Sequence, residues 1–267
     1  MEQKHPPLQA EITWQDLGGG IINFSSPPVG FQQYLVLGTD LAALIDTGMG
    51  IGSLAQAVRE ITDLPITVIN THCHPDHAGG NSEFAPALCN PAELDVFRQM
   101  ATLEFRRKDV SHMPGGEAFL PRLLPTAPEP AAAEDGQVID LGGRTLQLIF
   151  TPGHTHGSLC VFEPASGVLF TGDNLQADAT ALTEWNASTV EEFTASLETL
   201  AALPVTRLLG GHRPNDNPPQ LLARKLACAR RILEGARGTE IVHRGQAALE
   251  YRLEGTAIRY LPNRIWK

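Results

Sequence analysis

The chain has 267 residues, 42 % of them hydrophobic and 19 % charged, which supplies a core and excludes global disorder. Thirty acidic against twenty basic side chains leave a formal charge of -10, the wrong sign for tracking nucleic acid or an anionic membrane surface. No stretch approaches the roughly 20 apolar residues that span a bilayer, Met1 to Pro7 hold no apolar leader, and Cys73, Cys89, Cys160 and Cys228 are too few and too scattered for a disulfide scaffold.

These features predict one cytoplasmic domain over residues 1–267 that acts on a small molecule, with no nucleic-acid or membrane partner and with its oligomeric state open. Short apolar runs at Ile12 to Trp14, Gly20 to Phe24, Tyr34 to Leu37 and Leu41 to Ile45, bounded by Gly and Pro, predict an opening sheet. Ser53 precedes a helical spacing at Leu54, Ala55, Ala57, Val58 and Ile61, and Pro65 introduces a buried strand, Ile66 to Ile69. Pro91 to Arg107 predicts a helix. Seven Pro and Gly residues then make 108–133 an irregular insertion, a candidate lid. Further strands are predicted at Val138 to Leu141, Thr145 to Phe150, Leu159 to Phe162, Val168 to Phe170 and Val205 to Leu209. Helices are predicted from a Ser188 cap through Leu203 and over Pro218 to Ala236, before a closing hairpin at Ala247 to Leu253 and Ala257 to Leu261.

The chemistry-bearing signal is Thr71-His72-Cys73-His74-Pro75-Asp76-His77, directly after a buried strand. Three imidazoles and a carboxylate in six residues are a costly way to build a core and a natural way to hold metal. On extended backbone His72 and His74 project to one side, leaving Asp76 and His77 for a second ion and turning Cys73 away as a small buried hydrophobe. Three later apolar strands also end in Gly-containing turns that each present one ligand-type side chain: His154, Asp173 and His212.

In these motifs the sequence resembles the metallo-β-lactamase fold superfamily: HxHxDH as His72, His74, Asp76 and His77, TPGH at His154, TGD at Asp173, GGH at His212 and an early LIDTG at Asp46. The resemblance implies an α/β fold, an αββα sandwich of two mixed sheets face to face with helices outside and a metal site at one edge. It implies that His72, His74 and His154 bind one metal, that Asp76, His77 and His212 bind the other, and that Asp173 bridges them. Asp46 is then a partner that ties the ligand loop down. Two Zn²⁺ are the expected cofactors, with Mn²⁺ or Fe open to the same nitrogen and oxygen donors. The implied activity is a dinuclear metallo-hydrolase using a metal-bridging hydroxide, with Asp76 in a catalytic role.

Departures narrow the substrate. Asp173 stands where one β-lactamase group has Cys, no Tyr follows Asp173 as in acyl-homoserine lactonases, and the tail lacks the helical domain of ordinary glyoxalase II. A small ester, thioester or lactone is the expected substrate, with a β-lactam or phosphodiester hydrolase and a mononuclear iron persulfide dioxygenase as alternatives. Phe24, Phe31, Met100, Phe105, Met113 and Phe119 are read either as pocket wall or as core, while Arg106, Arg107 and Lys108 suit either a substrate anion or a helix dipole. His156, two residues from a ligand, is balanced between a functional and an incidental role, and no substrate-binding residue is assigned.

Overall fold

The computed structural model describes residues 8–84, 86–213 and 215–267, so the leader-free reading of Met1 to Pro7 lies outside the described residues. The chain groups into two compact units, one of residues 1–89, 94–132 and 140–144, the other of 90–93, 133–139 and 145–267.

In the first unit β1 (Thr13–Asp16), β2 (Ile21–Ser26), β3 (Phe31–Leu37) and β4 (Ala42–Ile45) form an antiparallel meander. Helix α1 (Leu54–Arg59) then crosses over to β5 (Ile66–Ile69), which pairs parallel to β4. Helix α1 starts where the Ser53 hydroxyl accepts the Gln56 amide N–H at 3.1 Å, as its N-cap position predicts. The helix buries Leu54 and Val58 against Phe24, Leu35, Leu44 and Val68, each such side chain contributing about 1.5–3 kcal/mol. The one-turn α2 (Pro75–Ala78), β6 (Leu88–Cys89), α3 (Leu94–Met100), α4 (Leu103–His112) and β7 (Ala131–Ala132) follow, and the sheet runs β1 to β7 in chain order.

Two sequence expectations change here. The helix predicted over Pro91 to Arg107 is broken, because Thr102 adopts an extended conformation and its hydroxyl caps α4 through the Phe105 amide. The insertion is also less irregular than its prolines suggest, since α4 runs to His112 and a 3-10 helix covers Gly116–Arg122. Arg106 anchors this region. Its buried guanidinium donates to the carbonyls of Ala101, Met49, Leu124 and Pro125, so it is committed to backbone rather than offered to a substrate anion. These four partners are neutral carbonyls, and burial pushes the Arg106 pKa down from 12.5 to about 10. Phe31 and Phe119 pack with Met49, Ile51 and Val110, and Phe24 lies in the α1 core, which settles all three as core side chains.

The second unit carries β8 (Val138–Asp140), β9 (Thr145–Phe150), β10 (Leu159–Glu163), β11 (Val168–Gly172), β12 (Ala179–Leu182), α5 (Val190–Ala201), β13 (Arg207–Gly210), β14 (Asp216–Asn217) and α6 (Gln220–Leu233). The chain ends through β15 (Thr239–His243), β16 (Gln246–Leu253) and β17 (Thr256–Tyr260). One sheet has the order β14-β13-β11-β10-β9-β8, with β11 and β13 parallel. A separate four-stranded sheet, β12-β17-β16-β15, absorbs the predicted closing hairpin and pairs β12 parallel to β17. Helices α5 and α6 bury Val190, Phe193, Leu197, Leu222 and Ile232 in one core with Phe162, Leu169 and Leu208 of the larger sheet. The α5 cap is Thr189 rather than Ser188: its hydroxyl accepts the Glu192 amide while the Glu192 carboxylate accepts the Thr189 amide, a reciprocal pair that Ser188 cannot make. Among the described residues no helix is long and apolar enough to cross a membrane.

Candidate metal centre

In the first unit the ligand-type residues follow β5 within a single turn. Pro75 at the start of α2 fixes the helical φ while His74, still extended, precedes it, so the chain bends between His74 and Asp76. His72, His74 and His77 are buried, the rings of His72 and His74 meet edge to face with centroids 4.7 Å apart, and those of His72 and His77 lie 4.0 Å apart. The His77 Nε2 lies 3.7 Å from Asp76 Oδ2. Cys73, between them in sequence, is buried with Ala78, Cys89, Val96 and Phe97, as a small hydrophobe would be.

Asp46 organises this turn from the end of β4. It sits at φ 62, a left-handed conformation that a non-glycine residue adopts at a cost of about 1–3 kcal/mol. From there its carboxylate accepts the Thr71 amide at 2.7 Å and the Thr71 hydroxyl at 2.8 Å, and holds His77 Nδ1 at 2.8 Å. A carboxylate at Nδ1 fixes the proton there and leaves the Nε2 lone pair for a metal. The His77 carbonyl is gripped as well, by Thr47 N at 2.8 Å and Asn70 Nδ2 at 3.2 Å.

In the second unit three strand ends supply one residue each. His154 follows β9, Asp173 follows β11 and His212 follows β13, and the register shift at Phe170/Gly172 in the β11–β13 pair re-aims the chain just ahead of Asp173. His154 Nε2 lies 3.6 Å and His212 Nε2 3.2 Å from Asp173 Oδ2. The His154 ring is oriented by Nδ1, which donates to the Ala181 carbonyl of β12 at 2.8 Å.

These spacings pass a simple test of fit. Two donors bound tetrahedrally to one ion at about 2.0–2.1 Å stand roughly 3.3 Å apart, and the imidazole–carboxylate pairs of both units fall at 3.2–3.7 Å. In His77 and His154 the Nδ1 atom is engaged by protein, so that Nε2 is the donor presented, and every ligand-type atom is nitrogen or oxygen. Each unit therefore carries a His/Asp cluster of the kind that holds a divalent metal.

The sequence profile described as the metallo-beta-lactamase superfamily matches residues 30–212, the span that contains every one of these residues. The chain belongs to the metallo-beta-lactamase superfamily. It is 29 % identical over 202 residues to the human acyl-coenzyme A thioesterase MBLAC2, covering 67 % of this chain and 71 % of that protein. It is 30 % identical over 205 residues to thioesterase pkgB of Emericella nidulans, covering 74 % of this chain but only half, 50 %, of the longer relative. Among solved structures, a metallo-beta-lactamase from Pontibacter korlensis superposes with a TM-score of 0.62 at 18 % identity, covering 82 % of this chain and 99 % of that one, a likeness of fold. The protein is thus a metallo-hydrolase of this superfamily, with its α/β fold of mixed sheets and helices.

Sequence reading missed three of the residues that shape the superfamily site in this chain. Thr71 had appeared only as the start of a motif, yet its amide and hydroxyl are what Asp46 grasps. Asn174 enters the sequence reading only as the absence of a tyrosine, although a buried asparagine directly after a ligand-type carboxylate has the donors and acceptor to tie two loops together. Ala181, whose backbone carbonyl accepts from His154 Nδ1, belongs to no motif and left no signal in the sequence. His156 is exposed, and its amide donates to Asn186 O at 2.6 Å.

Proposed function

We propose that the protein hydrolyses thioesters of small organic acids at a two-metal centre in which His72, His74 and His154 hold one ion, Asp76, His77 and His212 hold the other, and Asp173 is shared. The observation that carries this reading is the pair of His/Asp clusters, each with Nε2 and carboxylate oxygen at ligand spacing. The superfamily profile, which runs through both, supports their joint use. The thioester assignment draws on the two thioesterase relatives. Zinc is the first choice for a set of imidazole and carboxylate donors, with Mn²⁺ and Fe compatible.

When bound, divalent metal lowers the pKa of coordinated water from 15.7 to about 7 and polarises the carbonyl under attack. The chain's own groups do the rest. Asp46, by holding the proton on His77 Nδ1, keeps that ring in its ligand tautomer, and the Ala181 carbonyl does the same for His154. Asp76 is the carboxylate of the first cluster that solvent reaches, with 19 % of its side chain exposed, and it accepts the proton of the attacking water at a carboxylate oxygen and returns it to the departing thiolate. The four buried, unbridged thiols suit a reducing, cytoplasmic setting.

Elemental analysis of the purified protein, paired with a panel of thioester, ester, lactone, β-lactam and phosphodiester compounds, tests the reading. Two equivalents of metal and turnover highest on thioesters are expected. Preference for another bond, or oxygen uptake by a single iron, would replace it.

A further inference from the structure

Asn174 follows Asp173 and is buried, 1 % exposed, with every polar atom of its side chain engaged on the loop that carries His154. Its Oδ1 accepts the His154 amide N–H at 2.8 Å, while Nδ2 donates to the Thr151 carbonyl at 2.6 Å and the Thr151 hydroxyl at 3.1 Å. Its backbone is fixed too, since its N–H donates to Thr171 O at 3.1 Å and its carbonyl accepts the Thr180 hydroxyl at 2.8 Å. The opposing loop is shaped to receive it: a Cβ on Gly153 would stand 2.5 Å from Asn174 Oδ1 and 2.6 Å from a Phe193 ring carbon, so only glycine fits.

We propose that Asn174 is a positioning residue that sets the separation of His154 from Asp173, and thereby the metal affinity of the second unit's cluster. The proposal rests on the metal-binding reading above. A carboxamide suits this place because it offers an acceptor to one face and donors to the other, which no isosteric side chain does. An aspartate keeps the acceptor for the His154 amide but sets a carboxylate oxygen against the Thr151 carbonyl. A leucine leaves both the His154 amide and the Thr151 carbonyl unsatisfied, each a buried group. Either change lets two strand ends, β9 and β11, move relative to one another at the point where each presents its ligand.

The test is a chelator competition with Zn²⁺ on wild type, Asn174→Asp, Asn174→Leu and Gly153→Ala, together with the visible ligand-field spectrum of each protein loaded with Co²⁺. Thermal melting of the metal-free proteins reports folding separately. Ser196→Ala serves as the control, because Ser196 Oγ donates to Pro152 O at 2.8 Å on the same loop without touching Asn174. The expectation is a roughly 10–100-fold loss of affinity for one of two equivalents in the three site variants, with an altered Co²⁺ spectrum and with the control unchanged. Should Leu prove unfoldable, Asp and Gly153→Ala carry the same readouts. Two ions bound with wild-type affinity and spectrum in the variants would overturn the positioning role alone. A wild type that binds no metal would overturn the metal-binding reading and this proposal with it.

Discussion

The two ligand-bearing regions are built on opposite plans. The first packs four ligand-type residues into one turn, His72 to His77, whereas the second draws His154, Asp173 and His212 from three strand ends spread over 59 positions of chain. In the first the donors are neighbours before any tertiary structure forms, and the fold need only fix their rotamers through Asp46. In the second the donors meet only if β9, β11 and β13 pair in register, so the geometry is as good as the sheet and its loop contacts. A compact motif is legible and locally robust; a dispersed one is a product of packing.

That contrast is broken most severely at Asp173, the carboxylate on which both His154 and His212 converge. Asp173→Ala is expected to reduce bound metal from two ions toward one or none and to lower hydrolysis by more than about 100-fold, beyond the usual effect of altering a residue that merely supports a ligand. Metal content by elemental analysis and initial rates on the preferred thioester check it. Two ions retained with full turnover would remove Asp173 from the site.

The compact half is sharpened by Asp46→Asn, which preserves shape and an acceptor for Thr71 but removes the negative charge facing His77 Nδ1. A fall of about 10–100-fold in metal affinity is expected, with the loss falling on the ion that His77 serves. Retained affinity in a chelator titration would mean that the turn holds its own geometry without the carboxylate.

What could be read in the sequence follows the same division. The positions of most of the longer strands along the chain, the Ser53 cap and the ligand-bearing turns were legible because each is a local pattern of apolar period, capping oxygen or glycine. Arg106 was misjudged because a basic triplet looks the same whether it faces solvent or, as here, turns inward onto four backbone carbonyls contributed by distant loops. The β12–β17 pairing was hidden because Ala179–Leu182 is a weak strand by composition and becomes one only by docking on the C-terminal hairpin. With it went the Ala181 carbonyl that aims His154, a contact that belongs to backbone and so leaves no residue type to recognise.

Lys225 gives the smallest effect on metal binding and turnover, and it lies on the packing side of the contrast. Its Nζ on α6 donates to Gln176 O at 3.0 Å, in the loop after Asp173, and to Ala257 O of β17 at 2.8 Å. Burial pushes its pKa down from 10.5 to about 7, so at mildly alkaline pH it is a neutral amine whose two N–H groups match those two carbonyls. Between about pH 7 and 10.5 the unfolded chain binds more protons at this lysine than the folded one, and stability therefore rises with pH across that window. Below pH 7 both states are protonated and the contribution is flat. Lys225→Met should lack the rise. Urea unfolding of both proteins at several pH values from 7 upward, at one ionic strength, isolates it, because thiols such as Cys160, which burial pushes up to about 12, titrate in both chains and largely cancel in the difference. A free-energy gap between the two proteins that stays constant from pH 7 to 10 would show that Lys225 keeps its proton in the fold and holds the loop as an ammonium instead.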